Sequence, residues 1–207
     1  MPFLSNFAEN ELLDALTGVG SYGTTTAYLS LHDDDPGETG ANEVTGGSYA
    51  RNAVTFSAAA SGATSNSSQE DFTDMPATTI YFAGLWDSLT TGNFLCAIPL
   101  GAGARVYAAA DESTDVLTAM AHGFSTNDRV MVRASVAGTL PTGLSETTIY
   151  HVVTATTDTF QLSLTQGGGA VNFTTDGNVI AYQVEPRTVN SGDTVQFPTT
   201  NVALSLD

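Results

Sequence analysis

Apolar residues with helical spacing occur only near the start of the chain. Four of them fall close to the helical period of about 3.6 residues: Phe7, Leu12, Leu13 and Leu16. Ser5 can cap this segment, and Gly18 follows its last apolar residue, as is typical of the two ends of a helix. The pattern therefore predicts one short N-terminal helix.

From residue 27 onward the apolar residues alternate with polar ones, which is typical of β-strands. The predicted strands of the first hundred residues are 27–31, 53–56, 78–86 and 94–100. The acidic turn Asp33–Gly37 ends the first of them, and the small polar residues of 45–48 and 58–68 predict loops or a sheet edge.

The middle of the chain contains a second series of short β runs, separated by turn residues such as Pro141, Gly143 and Gly167–Gly169. The runs are 116–119, 129–132, 149–153, 159–164 and 170–173. Their spacing predicts a compact antiparallel barrel or sandwich of about 80 residues.

The C-terminal residues 191–197 and 202–206 predict a turn and two final strands. Two strands alone do not form a stable domain, so we expect them to pair with the sheet formed before residue 100. The predicted fold class is therefore all-β. An antiparallel β-sandwich with the N-terminal helix spans 1–100 plus 183–207, and a small β-barrel or sandwich is inserted at 101–182.

The charge of the chain narrows the classes of partner. Asp and Glu number 22 against five Arg and no Lys, so the net charge is −17. This charge repels phosphate backbones and anionic lipids, which argues against nucleic acid or a membrane as partner. Met1–Asn10 lacks the basic and apolar segments of a signal peptide, so we expect synthesis in a cytoplasm.

Residues that often carry chemistry are few and scattered. His32, His122 and His151 lack the spacing of a metal site. Cys96 lies in an apolar run, which predicts a buried thiol. No nucleotide-binding or hydrolase motif occurs in the chain. We therefore expect neither a catalytic site nor a cofactor.

One acidic run offers oxygen ligands for a cation. Asp33, Asp35 and Glu38 are the candidate Ca²⁺ ligands, with Asp34 and Glu43 beside them. The run lacks the alternating aspartates of a calcium-binding helix-loop-helix motif. A solvated turn is therefore the preferred interpretation.

Several strings resemble a known family. They are YLSLH (28–32), EVTGGSYAR (43–51) followed by VTF (54–56), FAGLWD (82–87), GNFL (92–95) and VNSGDTV (189–195). Together they resemble the motifs of small tailed-bacteriophage proteins commonly labelled tail fibre or minor tail proteins. In that family the last motif usually follows the GNFL-like one closely, whereas here about 80 residues intervene, as the predicted insertion requires.

The insertion is similar to a β module found in phage head and tail structural proteins, through 117–124, 140–144 and 158–163. Within the family-like motifs we interpret four residues as structural. Tyr49 is expected to anchor the core, Arg51 to pair with a carboxylate, Trp86 to lie in the sheet core, and Asp193 belongs to the closing motif.

The resemblance implies a non-enzymatic structural component of a tailed-phage virion. Our main hypothesis is a capsid decoration (cement) protein on the head exterior, because heptads and shape repeats typical of fibres are absent from the sequence. The alternative is a tail fibre, tail-tip or minor tail protein that contacts the host surface.

The alternative would favour exposed aromatic residues on the inserted module. Tyr107, Tyr150 and Phe160 are the candidates, although alternation predicts that Phe160 is buried. The expected partners are other virion structural proteins, the major capsid protein or tail proteins. We also expect a homotrimer or small ring, because self-association covers exposed sheet edges.

Overall fold

A computed structural model describes residues 3–20, 23, 26–101, 105–135 and 138–205. The chain divides into two compact units: Met1–Leu100 with Pro186–Asp207, here the first unit, and Gly101–Glu185, here the barrel unit. The predicted all-β class is confirmed, since the structure is mostly antiparallel β with one short helix among the described residues.

The helix and strands are, in chain order, β1 (Phe3–Leu4), α1 (Asn6–Thr17), β2 (Ala27–His32), β3 (Asn52–Val54), β4 (Ala63–Ser65), β5 (Glu70–Phe72), β6 (Thr78–Ile80), β7 (Phe82–Trp86), β8 (Phe94–Pro99), β9 (Arg105–Asp111), β10 (Val116–Thr118), β11 (Arg129–Ala134), β12 (Tyr150–Val153), β13 (Thr159–Ser163), β14 (Gly177–Gln183), β15 (Arg187–Val189), β16 (Val195–Phe197) and β17 (Ala203–Ser205).

Helix α1 begins and ends at the residues that the sequence predicts. The Ser5 hydroxyl accepts a hydrogen bond from the Ala8 N–H and donates one to the Phe94 carbonyl. Gly18 adopts φ 76° and its N–H donates to the Asp14 carbonyl, a left-handed C-terminal cap that suits glycine. The Ser5 bond to Phe94 ties the start of α1 to β8.

The first unit is built on a five-stranded antiparallel sheet in the order β1-β8-β7-β2-β3. Leu29 and Leu31 of β2 point into the main apolar core of this unit. Because side chains alternate across a strand, Ser30 and His32 lie on the opposite face, where both are fully buried.

Three two-stranded sheets, β15-β6, β16-β5 and β17-β4, share the main core with the five-stranded sheet. The predicted pairing of the C-terminal strands with strands of the first hundred residues is confirmed, but these pairs form separate two-stranded sheets and do not join the five-stranded sheet. The partner strands β4 and β5 come from 63–72, which overlaps the segment 58–68 that was predicted as loop or edge. Its small polar residues are compatible with a strand once a partner supplies the hydrogen bonds. Leu206, the last residue of the predicted final strand, lies outside the described residues.

Asn66 connects the C-terminal segment to the first hundred residues. Its side-chain amide donates to the carbonyls of Ser68 and Pro198 at 2.7 and 2.9 Å, and its side-chain oxygen accepts from the Val202 N–H at 2.8 Å. The residue is completely buried. A buried amide with these bonds satisfies backbone groups that the short strands leave unpaired.

The barrel unit is a closed antiparallel barrel in the order β10-β13-β12-β11-β14-β9. Closure leaves no free sheet edge. Its core contains small, aliphatic and aromatic residues: Ala108, Ala110, Leu117, Ala119, Phe124, Val130, Val132, Tyr150, Val152, Phe160, Leu162, Phe173, Val179 and Ala181.

Two barrel strands were missing from the sequence-based prediction, and one predicted run is not a strand. Strand β9 carries Ala108–Ala110, small residues with weak β propensity. Strand β14 carries four consecutive buried residues, Val179–Tyr182, and so lacks the two-residue period. Residues 170–173 are not in a strand, although Phe173 packs in the barrel core.

Candidate functional sites

Family-like motif residues that are far apart in sequence meet in the first unit. We call Glu43, Tyr49, Arg51 and Trp86 the motif cluster. The Arg51 guanidinium donates to both Glu43 carboxylate oxygens, from Nε at 3.0 Å and from Nη2 at 2.7 Å. Its Nη1 donates to the carbonyls of Ser88 and Thr91. Such a planar donor set is specific to arginine.

The Arg51 guanidinium also stacks on Trp86. The guanidinium carbon lies 3.5 Å from the centroid of the indole ring, a cation–π contact. Trp86 is only 7% exposed, and it makes an edge-to-face contact with Phe94. The Trp86 ring is therefore occupied by neighbours within the chain rather than presented to a ligand.

Tyr49 links the motif cluster to the main core. Its hydroxyl donates to Glu43 Oε1 at 3.0 Å and accepts from the Leu31 N–H at 2.9 Å. Its ring stacks on Phe72. Burial raises the pKa of the Tyr49 hydroxyl, and the hydrogen bond from the Leu31 N–H only partly opposes this effect. The Tyr49 hydroxyl therefore stays protonated. The motif cluster thus fixes loops and core together.

Ser30 and His32 form the pair in the first unit that most resembles catalytic chemistry. Ser30 Oγ lies 2.8 Å from His32 Nε2, and His32 Nδ1 lies 2.7 Å from the Ala41 carbonyl. Because a carbonyl only accepts, Nδ1 carries the proton and Nε2 accepts from Ser30. Trp86 Nε1 in turn donates to Ser30 Oγ at 3.0 Å.

Both residues of this pair are 0% exposed, so no substrate reaches them. Burial, with a smaller opposing effect from the Ala41 hydrogen bond, lowers the pKa of His32 below its ordinary value of 6.5. The neutral imidazole completes a chain of hydrogen bonds, and a buried chain without an open cavity positions strands instead of activating a nucleophile.

The segment that follows β2 covers the second face of the five-stranded sheet. Gly40 adopts φ 71°, and a Cβ placed there would lie 2.2 Å from Trp86 Cζ2. The backbone of this segment therefore contacts the indole edge directly, which only glycine permits. The segment shields His32 and Trp86 from solvent.

The candidate calcium ligands lie in this covering segment and have separate hydrogen-bonding roles. Asp35 Oδ1 accepts from the Gly37 N–H, and Glu38 Oε2 accepts from the Asn6 N–H at the start of α1. Asp35 is 4% exposed. Among the described residues, no group of three or more His, Cys, Asp or Glu side chains could hold a metal ion. Asp33, Asp35 and Glu38 therefore do not form a ready cation site.

Asp193 lies apart from the motif cluster. Its carboxylate accepts from the Asn190 N–H at 2.9 Å, and its carbonyl accepts from the Met75 N–H. The VNSGDTV motif therefore closes a turn beside Met75.

Two other potentially reactive groups, Cys96 and His122, are also enclosed. Burial raises the pKa of the Cys96 thiol to about 12. The His122 imidazole is 1% exposed; its Nδ1 accepts from the Phe124 N–H, and its ring packs against Phe160. No helix of the described residues is both long and apolar enough for a membrane span.

Helix α1 and the residues just after it carry an exposed apolar surface. Leu13, Leu16 and Val19 at its C-terminal end are 57%, 81% and 77% exposed. Beside them lies a groove of about 320 Å³, here the helix groove, whose lining includes Leu12 and Leu204. The helical spacing of the apolar residues predicts that α1 packs on a sheet or on a neighbouring subunit, and the exposure of these residues within the single chain leaves the second alternative open.

The barrel unit exposes one of its three candidate aromatic residues. Tyr107 is 66% exposed, whereas Tyr150 and Phe160 are each 1% exposed. The prediction that Phe160 is buried is thus confirmed.

The comparison with protein families identifies the class of the chain. Residues 3–118 match the family model described as Podophage GP4 fiber I protein gp80. The match covers more than half of the chain. The chain belongs to this family. No curated protein matches the chain.

Membership in the gp80 fibre family makes the chain a phage structural protein of the tail-fibre type and a virion component. It favours the tail-fibre alternative over our main hypothesis of a capsid decoration protein. The matched residues contain the motif cluster and end at Thr118, the last residue of β10.

Proposed function

We propose that the chain is a non-enzymatic component of a phage tail fibre or tail tip. The family match over residues 3–118 carries this proposal. The burial of Ser30, His32, His122 and Cys96 supports the absence of catalysis, because the core encloses these four groups.

Immunogold electron microscopy of purified particles tests the proposal. Antibodies against this chain are expected to label the tail, and quantitative gel densitometry to give a small number of copies per particle. Uniform labelling of the head with hundreds of copies would instead support the decoration hypothesis and contradict our proposal.

We further propose that α1 and the helix groove attach the chain to other virion proteins. Exposed leucines on a helix are unusual for a surface that faces only water, and Leu13 and Leu16 are more than half exposed. Phage that carry Leu13→Ser with Leu16→Ser are expected to contain less of this chain per particle. Leu164→Ser changes a leucine of similar exposure, 64%, in the barrel unit; it serves as the matched control and is expected to incorporate normally.

Self-association into a homotrimer or small ring remains part of this proposal. Edge strands β1 and β3 of the five-stranded sheet have two and three residues, and assembly can cover such edges. Native mass spectrometry of the purified chain at micromolar concentration checks it. A strict monomer would contradict it.

We also propose that residues 101–182 are an inserted domain that folds by itself, and that the chain is made in the host cytoplasm. The compact barrel unit supports the first statement. Limited proteolysis is expected to release a stable fragment that contains β9 to β14. Rapid degradation of the whole chain without such a fragment would contradict it.

A further inference from the structure

The outer face of the barrel contains a depression across three neighbouring strands. Ala109 of β9 pairs with Asn178 of β14 on one side and with Thr118 of β10 on the other. Directly opposed residues lie on the same face of a sheet, and all three are exposed. The small side chain of Ala109 between two larger ones creates an open depression of about 370 Å³.

Two large side chains border this depression. Tyr107 is two residues before Ala109 on β9 and therefore lies on the same outer face. It is 66% exposed, and Met120, just after β10, is 87% exposed. A tyrosine ring that lies so far out of the core offers a flat apolar surface to a ligand.

The polar groups of the depression are free to bind. The Asn178 amide, the Thr118 hydroxyl and the Ser135 hydroxyl form no side-chain hydrogen bond with the residues that the structure describes, and the Tyr107 hydroxyl forms none either. Together they offer amide and hydroxyl groups, both of which can donate and accept.

The lining of the depression is also uncharged. It consists of Tyr107, Ala108, Ala109, Thr118, Ala119, Met120, Ser135, Asn178 and Val179. A neutral lining stands out in a chain of net charge −17. It favours a neutral ligand that has both an apolar face and several hydroxyl groups.

We propose that this depression binds a neutral saccharide, with one pyranose ring stacked on Tyr107 and its hydroxyl groups bonded to Asn178, Thr118 and Ser135. The apolar face of a hexose matches the tyrosine ring, and its hydroxyl groups match the free amide and hydroxyls. The proposal rests on the proposed tail-fibre function, since it assigns the host-surface contact of that fibre to one patch.

Saturation-transfer NMR and titration calorimetry on the full chain test the proposal. The probes are maltohexaose, mannohexaose, chitohexaose and galactohexaose at millimolar concentration. At least one of them is expected to bind wild-type protein. Tyr107→Ala is expected to raise its Kd about tenfold or more, because the stacking surface is lost. Tyr107→Phe keeps that ring and is expected to change Kd less than about threefold.

Leu164→Ala is the matched control, since Leu164 is 64% exposed on the same unit but does not line the depression. It is expected to bind as wild type does. Thermal melting of each variant is expected to be unchanged, so a lost signal reports the site and not the fold. Asn178→Ala is expected to weaken binding several-fold.

Absence of binding to all four probes would overturn the proposal, and so would equal affinity of wild type and Tyr107→Ala. A virion protein that binds at Tyr107 in place of sugar would overturn it as well. These failures leave the tail-fibre function intact, because antibody labelling and copy number on the particle decide that function separately.

Discussion

The two units of the chain hold their loops in different ways. The first unit buries Ser30, His32, Asp35, Asn66 and Glu70 among its polar residues, whereas the barrel unit buries only His122 and Ser163 among those that the structure describes. In the first unit, side-chain hydrogen bonds tie loops to strands. In the barrel unit, the pairing of strands around the closed barrel holds most of the structure together.

The difference follows from strand length and closure. Seven strands of the first unit have only three residues each: β3, β4, β5, β6, β15, β16 and β17. Strands this short leave many backbone groups unpaired, and buried groups must find side-chain partners. The barrel strands β9 and β14 have seven residues each and pair along most of their length. Replacing single polar side chains should therefore damage the first unit far more than the barrel.

The largest effect is expected for Arg51→Ala. Its side chain is 9% exposed and that of Glu43 is 22% exposed, so the substitution leaves a largely buried carboxylate without its cation. The free energy of unfolding is expected to fall by about 3–5 kcal/mol. Urea titration followed by Trp86 fluorescence measures it. Arg187→Ala removes an exposed arginine of the same unit and is expected to change stability by less than about 0.5 kcal/mol; equal losses would contradict the structural role of the motif cluster.

Asn66→Ala and Ser163→Ala compare a buried polar residue of each unit. Asn66 bonds to three backbone groups, and we expect its loss to cost about 2–3 kcal/mol. Ser163 accepts one bond, from the Thr165 N–H, and its loss is expected to cost about 1 kcal/mol. Calorimetric melting of both variants measures the two losses. A larger loss for Ser163→Ala would reverse the comparison.

Acid is expected to destabilise the first unit through His32. Its pKa is lowered in the folded chain by burial, and its ordinary value is 6.5. The unfolded chain therefore binds a proton more readily, so the stability contributed by neutral His32 is complete above about pH 6.5 and is lost as the pH falls below it. The loss is at most about 1.4 kcal/mol per pH unit.

Unfolding measured between pH 7.5 and 5.5 checks this expectation (the window lies above the range of most carboxylates). The unfolding transition whose midpoint is lowered by Arg51→Ala is the transition of the first unit. His32→Gln cannot titrate, so its stability relative to its own value at pH 7.5 is expected to change less than that of wild type. If stability changes equally with pH in wild type and in His32→Gln, groups other than His32 cause the acid effect.

The smallest effect is expected for Leu16→Ser. Leu16 is 81% exposed, so little apolar contact is lost and stability is expected to change by less than about 0.5 kcal/mol. Thermal melting checks this. A large loss would mean that α1 is held in the fold by this leucine, and the proposed attachment surface would then need revision.

The sequence predicted the local elements better than their pairing partners. It predicted α1 from its caps, and it predicted strands near the observed positions of β2, β7 and β8. It expected Arg51 to pair with a carboxylate but did not single out Glu43. The domain boundaries, with 1–100 plus 183–207 and 101–182, stay predictions about independent folding.

The sequence by itself determined the β class, the helix caps and the family-like motifs, because these depend on backbone preferences and spacing within a few residues. Only the tertiary structure decided that β16 and β17 pair with β5 and β4, that six strands close into a barrel, and that Tyr107 is exposed while Tyr150 is buried. Such outcomes depend on contacts between distant segments; Asn66 and Pro198, for example, are 132 residues apart. Local preference carries no information about which distant strand supplies the partner.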